Sequence, residues 1–124
     1  MPNHHLRQRG TAVVIRDGKV LLVRDMGKHH FSLPGGGIKA NEPAASAAGR
    51  ELFEELGLSP VKVTRLPDCD FKGSASNHKV CQIEARGEPR LRGHELDKFI
   101  WWDMKQPVPV FFHVTQILHR MGLL

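Results

Sequence analysis

Residues 36–58 read GGIKANEPAASAAGRELFEELGL, and they carry the strongest structural signal in the chain. The middle of this segment predicts a helix over residues 43–56, because a first turn accepts proline and Gly57 stands where a left-handed C-terminal residue belongs. We expect Asn41 or Glu42 to cap its N-terminus. Apolar residues at helical spacing predict a buried stripe of Ala45, Ala48, Leu52 and Leu56.

Three glutamates near the end of this predicted helix form a candidate metal site. Glu51, Glu54 and Glu55 share one narrow face, expected to lie opposite the apolar stripe, since a helix turns about 100° per residue. Carboxylates this close raise one another's pKa unless a cation lies among them, and Mg²⁺ prefers oxygen ligands. A solvated helix face with an Arg50–Glu54 pair would explain the same residues. Negative charge in a last turn opposes the helix dipole, however, and that conflict favours a functional site.

A glycine-rich segment, PGGG at residues 34–37, precedes the helix. It predicts a loop in which the backbone of Gly35, Gly36 and Gly37 comes close to a ligand and aims amides or carbonyls at a phosphate or a metal. Three glycines alone more often indicate a turn. Next to the acidic helix they indicate a site for a metal-bound phosphate.

Short apolar runs on both sides of these motifs predict the strands of a mixed sheet. The predicted strands are residues 11–15, 19–24, 31–33, 61–66, 79–85 and 99–102, and a closing helix covers residues 110–121. Asp17-Gly18 predicts a hairpin turn, and residues 86–97 predict a charged loop. Strands, helix, strands and helix in this order indicate an α/β or α+β fold with helices flanking a mixed sheet.

Length and composition describe one globular domain. The chain has 124 residues, of which 40% are hydrophobic and 25% charged, so we expect a single domain over residues 1–124, with residues 1–9 as a frayed terminus. No apolar run is long enough to cross a membrane, and the polar N-terminus does not resemble a signal peptide. The net charge of +5 suits an anionic ligand.

Two cysteines, Cys69 and Cys81, are too few for a disulfide framework and lack the CxxC spacing of a zinc site. A reducing, cytoplasmic location is therefore expected.

Residues 36–58 fit the Nudix box, G-x5-E-x7-R-E-U-x-E-E-x-G-U with U aliphatic, at every fixed position. The matching residues are Gly36, Glu42, Arg50, Glu51, Leu52, Glu54, Glu55, Gly57 and Leu58. The chain therefore resembles a small, MutT-like Nudix hydrolase. The resemblance implies an α/β/α sandwich with a mixed β-sheet, and hydrolysis of a nucleoside diphosphate linked to another group X.

The resemblance also implies Mg²⁺ or Mn²⁺ held by Glu51, Glu54 and Glu55, with a backbone carbonyl of Gly35 or Gly36 as a further candidate ligand. Arg50 is expected to hold a glutamate in place through a charge-assisted hydrogen bond.

A carboxylate is expected to accept the proton of the attacking water, a role typically worth about 10²–10⁴-fold in rate. Glu54 is the first candidate for this base and Glu95 the second, with His94 and Asp97 close enough in sequence to compete. Glu42 is expected to have a supporting role.

Compact size favours small substrates, namely nucleoside triphosphates or oxidised deoxynucleoside triphosphates cleaved to monophosphate and pyrophosphate. Dinucleoside polyphosphates, nucleotide sugars and the 5′ end of an RNA stay open as alternatives, as does a nucleotide-binding or regulatory module without turnover. Polymeric nucleic acid and membranes are not expected as main partners. The family resemblance leaves a homodimer open, although no residue of this chain argues for one.

Overall fold

A computed structural model describes residues 6–124 of the chain. Its strands are β1 Arg7–Val13, β2 Ile15–Arg16, β3 Lys19–Asp25, β4 Gly35–Gly37, β5 Ser59–Arg65, β6 Phe71–Lys72, β7 Ser76–Arg86 and β8 Leu96–Trp102. Its α-helices are α1 Ala44–Leu56 and α2 Phe112–Arg120, and a short 3-10 turn covers Pro67–Cys69. The predicted order of strands, helix, strands and helix is confirmed; β4, the 3-10 turn and β6 are additions to it.

The strands form two sheets. One has the order β4-β1-β7-β5, with β6 also paired to β7, and the other has the order β2-β3-β8. Strands β1 and β7 run parallel, whereas the other pairs are antiparallel. The prediction of a mixed sheet is therefore confirmed.

Alternate residues of β1 reach the two helices on opposite sides of the sheet. Ala12 of β1 and Val14, the residue directly after the strand, belong to a hydrophobic cluster with Leu52 of α1. Val13, which lies between them, belongs to a second cluster with Ile117 of α2. Because successive side chains of a strand point to opposite faces, the two helices cover opposite faces and bury separate cores. This arrangement is the predicted α/β/α sandwich.

Helix α1 lies unusually close to β1, and a glycine permits the approach. A Cβ at Gly10 would lie 2.8 Å from both the carbonyl oxygen of Ala44 and the amide nitrogen of Ala48. Leu52 and Leu56, as predicted, are fully buried beneath the helix. The close contact fixes the height and rotation of α1 over the sheet, and therefore where its glutamates lie.

The predicted C-terminus of α1 is confirmed, but its predicted capping is wrong. Gly57 adopts a left-handed conformation with φ 71° and donates its amide to the carbonyl of Phe53. At the other end Pro43 is the N-cap residue, and no side chain caps the helix. Asn41 does not cap it, and the Glu42 carboxylate is used instead by hydrogen bonds from the preceding loop and from Arg50.

The predicted loop at residues 34–37 is largely a strand. Gly35–Gly37 form β4, which pairs antiparallel with β1. Glycines lack side chains and so show no alternating pattern, and only the pairing with β1 reveals the strand. The predicted strand at residues 31–33 is reduced to two isolated bridges, Val23 with Ser32 and Phe31 with Val110.

The prediction of a frayed terminus at residues 1–9 is wrong for its last part. Strand β1 begins at Arg7, because residues 7–9 pair with β7 on one side and Arg9 pairs with β4 on the other. Residues 1–5 lie outside the described part of the chain.

Within residues 6–124, no helix combines the length and the apolar character needed to span a membrane.

Cys69 and Cys81 are both buried free thiols. The cytoplasmic location stays a prediction.

Candidate active site

Arg50 is the centre of a hydrogen-bond network on α1. Its Nε and Nη2 donate to the two carboxylate oxygens of Glu42, at 2.9 and 3.0 Å. Its Nη1 donates to Glu51 at 3.0 Å and to Glu54 at 3.1 Å. Nη2 also donates to the carbonyl oxygen of Gly37 at 3.0 Å, which ties the helix to β4. Arg50 thus forms the predicted charge-assisted hydrogen bond, and forms it with three glutamates.

Glu42 is held in its ionised form by this network. The hydrogen bonds from Arg50, together with one from the backbone amide of Lys39, lower the pKa of Glu42 to about 2. The bidentate pair keeps the guanidinium in one orientation, so Glu42 acts on the site by positioning Arg50.

A cavity of about 420 Å³ beside α1 collects charged side chains from distant parts of the chain. We call it the acidic cavity. Six charged residues line it, namely Arg7, Arg9, Asp25, Glu51, Glu55 and Glu95. Four carboxylates in one cavity repel one another, and a cation among them would relieve that repulsion.

Among the carboxylates of the acidic cavity, Glu55 has the pKa that its surroundings change most clearly. Burial, which has the largest effect, and the nearby carboxylate of Glu51 raise the pKa of Glu55 to about 8 against the opposing charge of Arg9. Glu95 and Asp25 act in the same direction as Glu51. A carboxylate of this kind stays neutral near pH 7 unless a cation binds beside it.

The glycines of β4 let backbone and side chains crowd together at the edge of the acidic cavity. A Cβ at Gly36 would overlap the carboxyl group of Glu51, and a Cβ at Gly35 would overlap the carbonyl oxygen of Gly10. Gly35 and Gly36 line the cavity, whereas the carbonyl of Gly37 is bound to Arg50. Close packing therefore accounts for the glycines at residues 35 and 36.

Glu51 and Glu55 line the acidic cavity as the helical spacing predicted, but Glu54 does not. The Glu54 side chain is 53% exposed and pairs with Arg50. The sequence predicts all three glutamates opposite the apolar stripe, and this is wrong for Glu55. Glu55 lies beside the stripe, three residues after the buried Leu52 and one before the buried Leu56, which explains why its side chain is partly buried.

The candidate residues around the start of β8 are also divided between the acidic cavity and other contacts. Glu95 and His94 line the acidic cavity. Asp97 lies apart from it, 2.9 Å from the Nε of Arg24.

The donor groups suit a hard divalent cation. Within residues 6–124, no three acidic, histidine or cysteine side chains already stand in a metal-binding arrangement. One nitrogen of Arg50 nevertheless contacts oxygens of both Glu51 and Glu54, and Glu51 shares the acidic cavity with Glu55. Carboxylate oxygens grouped in this way fit Mg²⁺ or Mn²⁺ by their chemistry.

A second cavity, of about 610 Å³, was missed by sequence reasoning. We call it the aromatic cavity, after its ring-bearing residues Phe71, His78, Phe111, Phe112 and His113. Arg9 and Asp25 line both cavities, so the two adjoin.

Arg9 and His78 are neighbours because of the parallel pairing of β1 with β7, in which they are register partners. His113 comes from the first turns of α2. The sequence signals for these residues are weak. Arg9 is a charged residue on the same face of β1 as the buried Thr11 and Val13, and His113 is an imidazole in a helix with an apolar face.

Comparison with known proteins agrees with this geometry. The NUDIX domain family model matches residues 6–117. A protein from Chromobacterium violaceum described as a Nudix hydrolase family member is similar in structure, with a TM-score of 0.82 and 25% identity over 98% of this chain and 79% of that one. A MutT NUDIX hydrolase from Burkholderia pseudomallei has a TM-score of 0.78 and 25% identity over 94% of this chain and 98% of its own.

A curated relative matches over a shorter stretch. An RNA pyrophosphohydrolase from Sodalis glossinidius is 50% identical over 50 residues, which are 40% of this chain and 29% of that protein. The chain therefore spans less than a third of the length of this relative. The family match covers almost the whole described chain, the fold agrees, and three of the box residues, Gly36, Glu51 and Glu55, line one carboxylate-rich cavity. The chain belongs to the Nudix hydrolase family.

Proposed function

We propose that this protein is a pyrophosphohydrolase dependent on Mg²⁺ or Mn²⁺ that cleaves a nucleoside diphosphate linked to a group X. We propose nucleoside triphosphates or oxidised deoxynucleoside triphosphates as substrates, cleaved to the monophosphate and pyrophosphate. The observation that carries the proposal is the gathering of Glu51, Glu55 and Glu95 in one cavity.

Glu51, Glu54 and Glu55 would hold the metal. When bound, a divalent cation supplies positive charge that offsets the charge of the phosphates and makes a coordinated water more acidic. Arg50 keeps Glu51 and Glu54 on the same side of α1 through one nitrogen. The backbone of Gly35 and Gly36 is proposed to contact phosphate or metal, since both residues line the acidic cavity.

We propose Glu95 as the group that accepts the proton of the attacking water. It lies in the acidic cavity, whereas Glu54, the other candidate, is paired with Arg50 at 3.1 Å. If Glu95 is the base, Glu95→Gln lowers kcat by roughly 10²–10⁴-fold while the affinity for the metal changes little. Loss of metal affinity in Glu95→Gln would instead make Glu95 a ligand and return the role of base to Glu54.

Product analysis tests the reaction class directly. The purified protein is incubated with nucleoside triphosphates, oxidised deoxynucleoside triphosphates, dinucleoside polyphosphates and nucleotide sugars, each with Mg²⁺ and with EDTA. We expect Mg²⁺-dependent release of a nucleoside monophosphate together with pyrophosphate from at least one triphosphate.

Folded protein that binds Mg²⁺ and releases product from no compound would contradict the proposal and favour a nucleotide-binding or regulatory module. Release from a dinucleoside polyphosphate or a nucleotide sugar alone would keep the reaction class and replace the substrate.

A second candidate substrate is the triphosphorylated 5′ end of an RNA. The relative from Sodalis glossinidius is named RNA pyrophosphohydrolase, and its match supports this alternative over 50 residues. A short 5′-triphosphorylated RNA added to the panel decides between them. Faster turnover of the RNA than of the nucleoside triphosphate with the same 5′ base would make polymeric RNA the substrate, against our expectation.

A further inference from the structure

The last turn of α1 is held by a loop that is distant in the chain, residues 87–95 between β7 and β8. A helix leaves its last carbonyls short of partners, and here three of them accept hydrogen bonds from this loop. The carbonyl of Leu56 accepts from the amide of Arg90, and that of Glu55 from the amide of Arg92, both at 3.0 Å. The carbonyl of Phe53 accepts from Nη1 of Arg92, also at 3.0 Å. The loop is therefore fixed against the turn that carries Glu55.

Arg92 also brings to this turn a positive charge that the helix itself lacks there. The last turn of α1, residues 53–56, contains no basic residue, although Glu54 and Glu55 add negative charge where the helix dipole is already negative. The Arg92 guanidinium lies over the ring of Phe53, 5.0 Å from its centroid, and this cation–π contact adds to the hydrogen bond. A side chain from a distant loop therefore stabilises the acidic turn.

The same loop leads to Glu95, the proposed base. Glu95 follows Arg92 by three residues and lines the acidic cavity together with Glu55. Strand β3 holds it from the other side, because the amide of Met26 donates to the Glu95 carbonyl at 2.8 Å. The backbone that carries Glu95 is thus attached to β3 at one end and to α1 at the other.

The pairing of β3 with β8 shifts register close to the proposed base. Arg24 pairs with Lys98, but the next residue of β3, Asp25, pairs with Leu96. Asp97 is therefore an extra residue in β8, and its carboxylate accepts a hydrogen bond from Nε of Arg24 at 2.9 Å. A bulge of this kind interrupts the ladder locally. The contacts of the loop with α1 provide a second anchor where the ladder is least regular.

We propose that Arg92 is a positioning residue, which holds the loop against α1 so that Glu95 faces the glutamates that would bind the metal. This inference rests on the proposed function, because it requires Glu95 to act on the attacking water. Arg92 is exposed and lies outside the acidic cavity, so it acts through the backbone of the loop and not by touching the substrate.

Arg92→Gln tests this role, because it removes the guanidinium and keeps the backbone amide that binds Glu55. With the substrate identified by product analysis, kcat should fall roughly 10–100-fold, since a small displacement of a reacting group is enough for such a loss. KM and the Mg²⁺ concentration for half-maximal rate should each change less than about threefold, since the phosphates and the metal contact other residues. A kcat equal to that of wild type would overturn the proposal.

Two further variants support the reading of this result. Arg92→Lys keeps the charge and one donor, so its kcat should lie between those of wild type and Arg92→Gln. Arg86→Gln is the matched control, because it removes the same charge from an exposed arginine directly before the loop, and its kcat should equal that of wild type. Because Arg92 is exposed, both of its variants should keep a Tm close to that of wild type.

A double-mutant cycle separates positioning from a merely structural role. If Arg92 acts through Glu95, adding Arg92→Gln to Glu95→Gln should lower kcat no further. An equal fall of kcat in the wild-type and Glu95→Gln backgrounds would show that Arg92 acts independently of Glu95, and would overturn the proposal.

Hydrogen exchange gives a readout that does not depend on activity. The amides at positions 90 and 92 donate to α1, so loss of the Arg92 side chain should speed their exchange about tenfold or more when the protein is measured in EDTA. Arg86→Gln should leave their exchange unchanged. Exchange as slow in Arg92→Gln as in wild type would overturn the anchoring of the loop.

Failure of the proposed function gives a different result. Faster exchange in Arg92→Gln without pyrophosphate release from any compound by the wild type would overturn the hydrolase and leave the anchor. Turnover that Arg92→Gln does not change would overturn the positioning role and leave the hydrolase. A Glu95→Gln variant with the kcat of wild type would overturn the assignment of the base, and this inference with it, while the reaction class stands.

Discussion

The acidic cavity and the aromatic cavity adjoin at Arg9 and Asp25, yet burial moves the pKa values of their groups in opposite directions. In the acidic cavity burial raises the pKa of Glu55 to about 8. In the aromatic cavity it lowers the pKa of His113 to about 2. Burial favours the neutral form in both cases.

The two cavities differ in whether a bound ion could return the buried groups to their charged forms. Glu55 has carboxylate neighbours, so a cation that binds among them would return it to the ionised form. The imidazoles face each other and Arg9, whose positive charge also lowers both of their pKa values. The carboxylates of the acidic cavity are therefore suited to bind a cation, whereas the imidazoles of the aromatic cavity stay neutral.

The largest effect expected is on turnover by Glu55→Gln. Removing one carboxylate from the proposed metal site should lower kcat/KM by roughly 10²–10³-fold, because the cation contributes several kcal/mol to the reaction. Steady-state rates at several Mg²⁺ concentrations measure it. Glu88→Gln is the control, since the Glu88 side chain is 90% exposed. Unchanged Mg²⁺ dependence in Glu55→Gln would remove Glu55 from the ligand set.

The next effect is on stability in the absence of metal. The pKa of Glu55 is about 8 when folded, against 4.5 for an ordinary glutamate. The folded state thus holds a proton that the unfolded state has lost, and the contribution of Glu55 to the free energy of unfolding should fall as pH rises from about 4.5 to about 8. A shift of this size corresponds to a few kcal/mol. Urea unfolding of wild type and Glu55→Gln in EDTA across this range measures the contribution as the difference between the two proteins. If the stability of both proteins changes with pH by the same amount, the raised pKa does not belong to Glu55.

Arg50→Lys should reduce kcat/KM by about 10–100-fold, the range found when a supporting hydrogen bond to a metal ligand is lost. Lysine keeps the charge but cannot reach Glu42, Glu51 and Glu54 at once with the planar fork of arginine. The expected loss is in kcat and in Mg²⁺ affinity. Activity close to that of wild type would show that the network does not position the glutamates.

The smallest effect expected is the acid sensitivity of the aromatic cavity. The pKa of His113 is depressed from 6.5 to about 2, so the unfolded state binds a proton first and the contribution of His113 to stability should fall as pH drops below 6.5. Between pH 6.5 and about 5.5 the loss is on the order of 1 kcal/mol.

His113→Gln keeps an acceptor for the Leu33 amide and should reduce this slope, because only the contribution of His78 then remains in the cavity. His119→Gln, at an exposed histidine, should leave the slope unchanged. Equal slopes in wild type and His113→Gln would show that His113 is protonated in the folded protein.

Local spacing explains which parts of the fold could be predicted. Residues three and four apart on a helix share a face, so Glu51 and Glu55 could be placed together before any tertiary contact was known. Gly57 likewise marked the end of α1. The three glycines of β4 gave no such pattern, because a strand of glycines is defined only by its hydrogen bonds to β1.

The amino-acid sequence by itself determined the family, helix α1 and the carboxylate donors, since these depend on residues close together in the chain. Tertiary structure decided the surroundings of each glutamate, because β1, β3 and the segment before β8 enclose Glu55 in the acidic cavity, whereas Glu54 stays exposed and pairs with Arg50. It alone assembled the aromatic cavity, where parallel pairing of β1 with β7 brings Arg9 beside His78 and α2 adds His113. Contacts between residues so distant in the chain follow from packing and strand register, which no local pattern encodes.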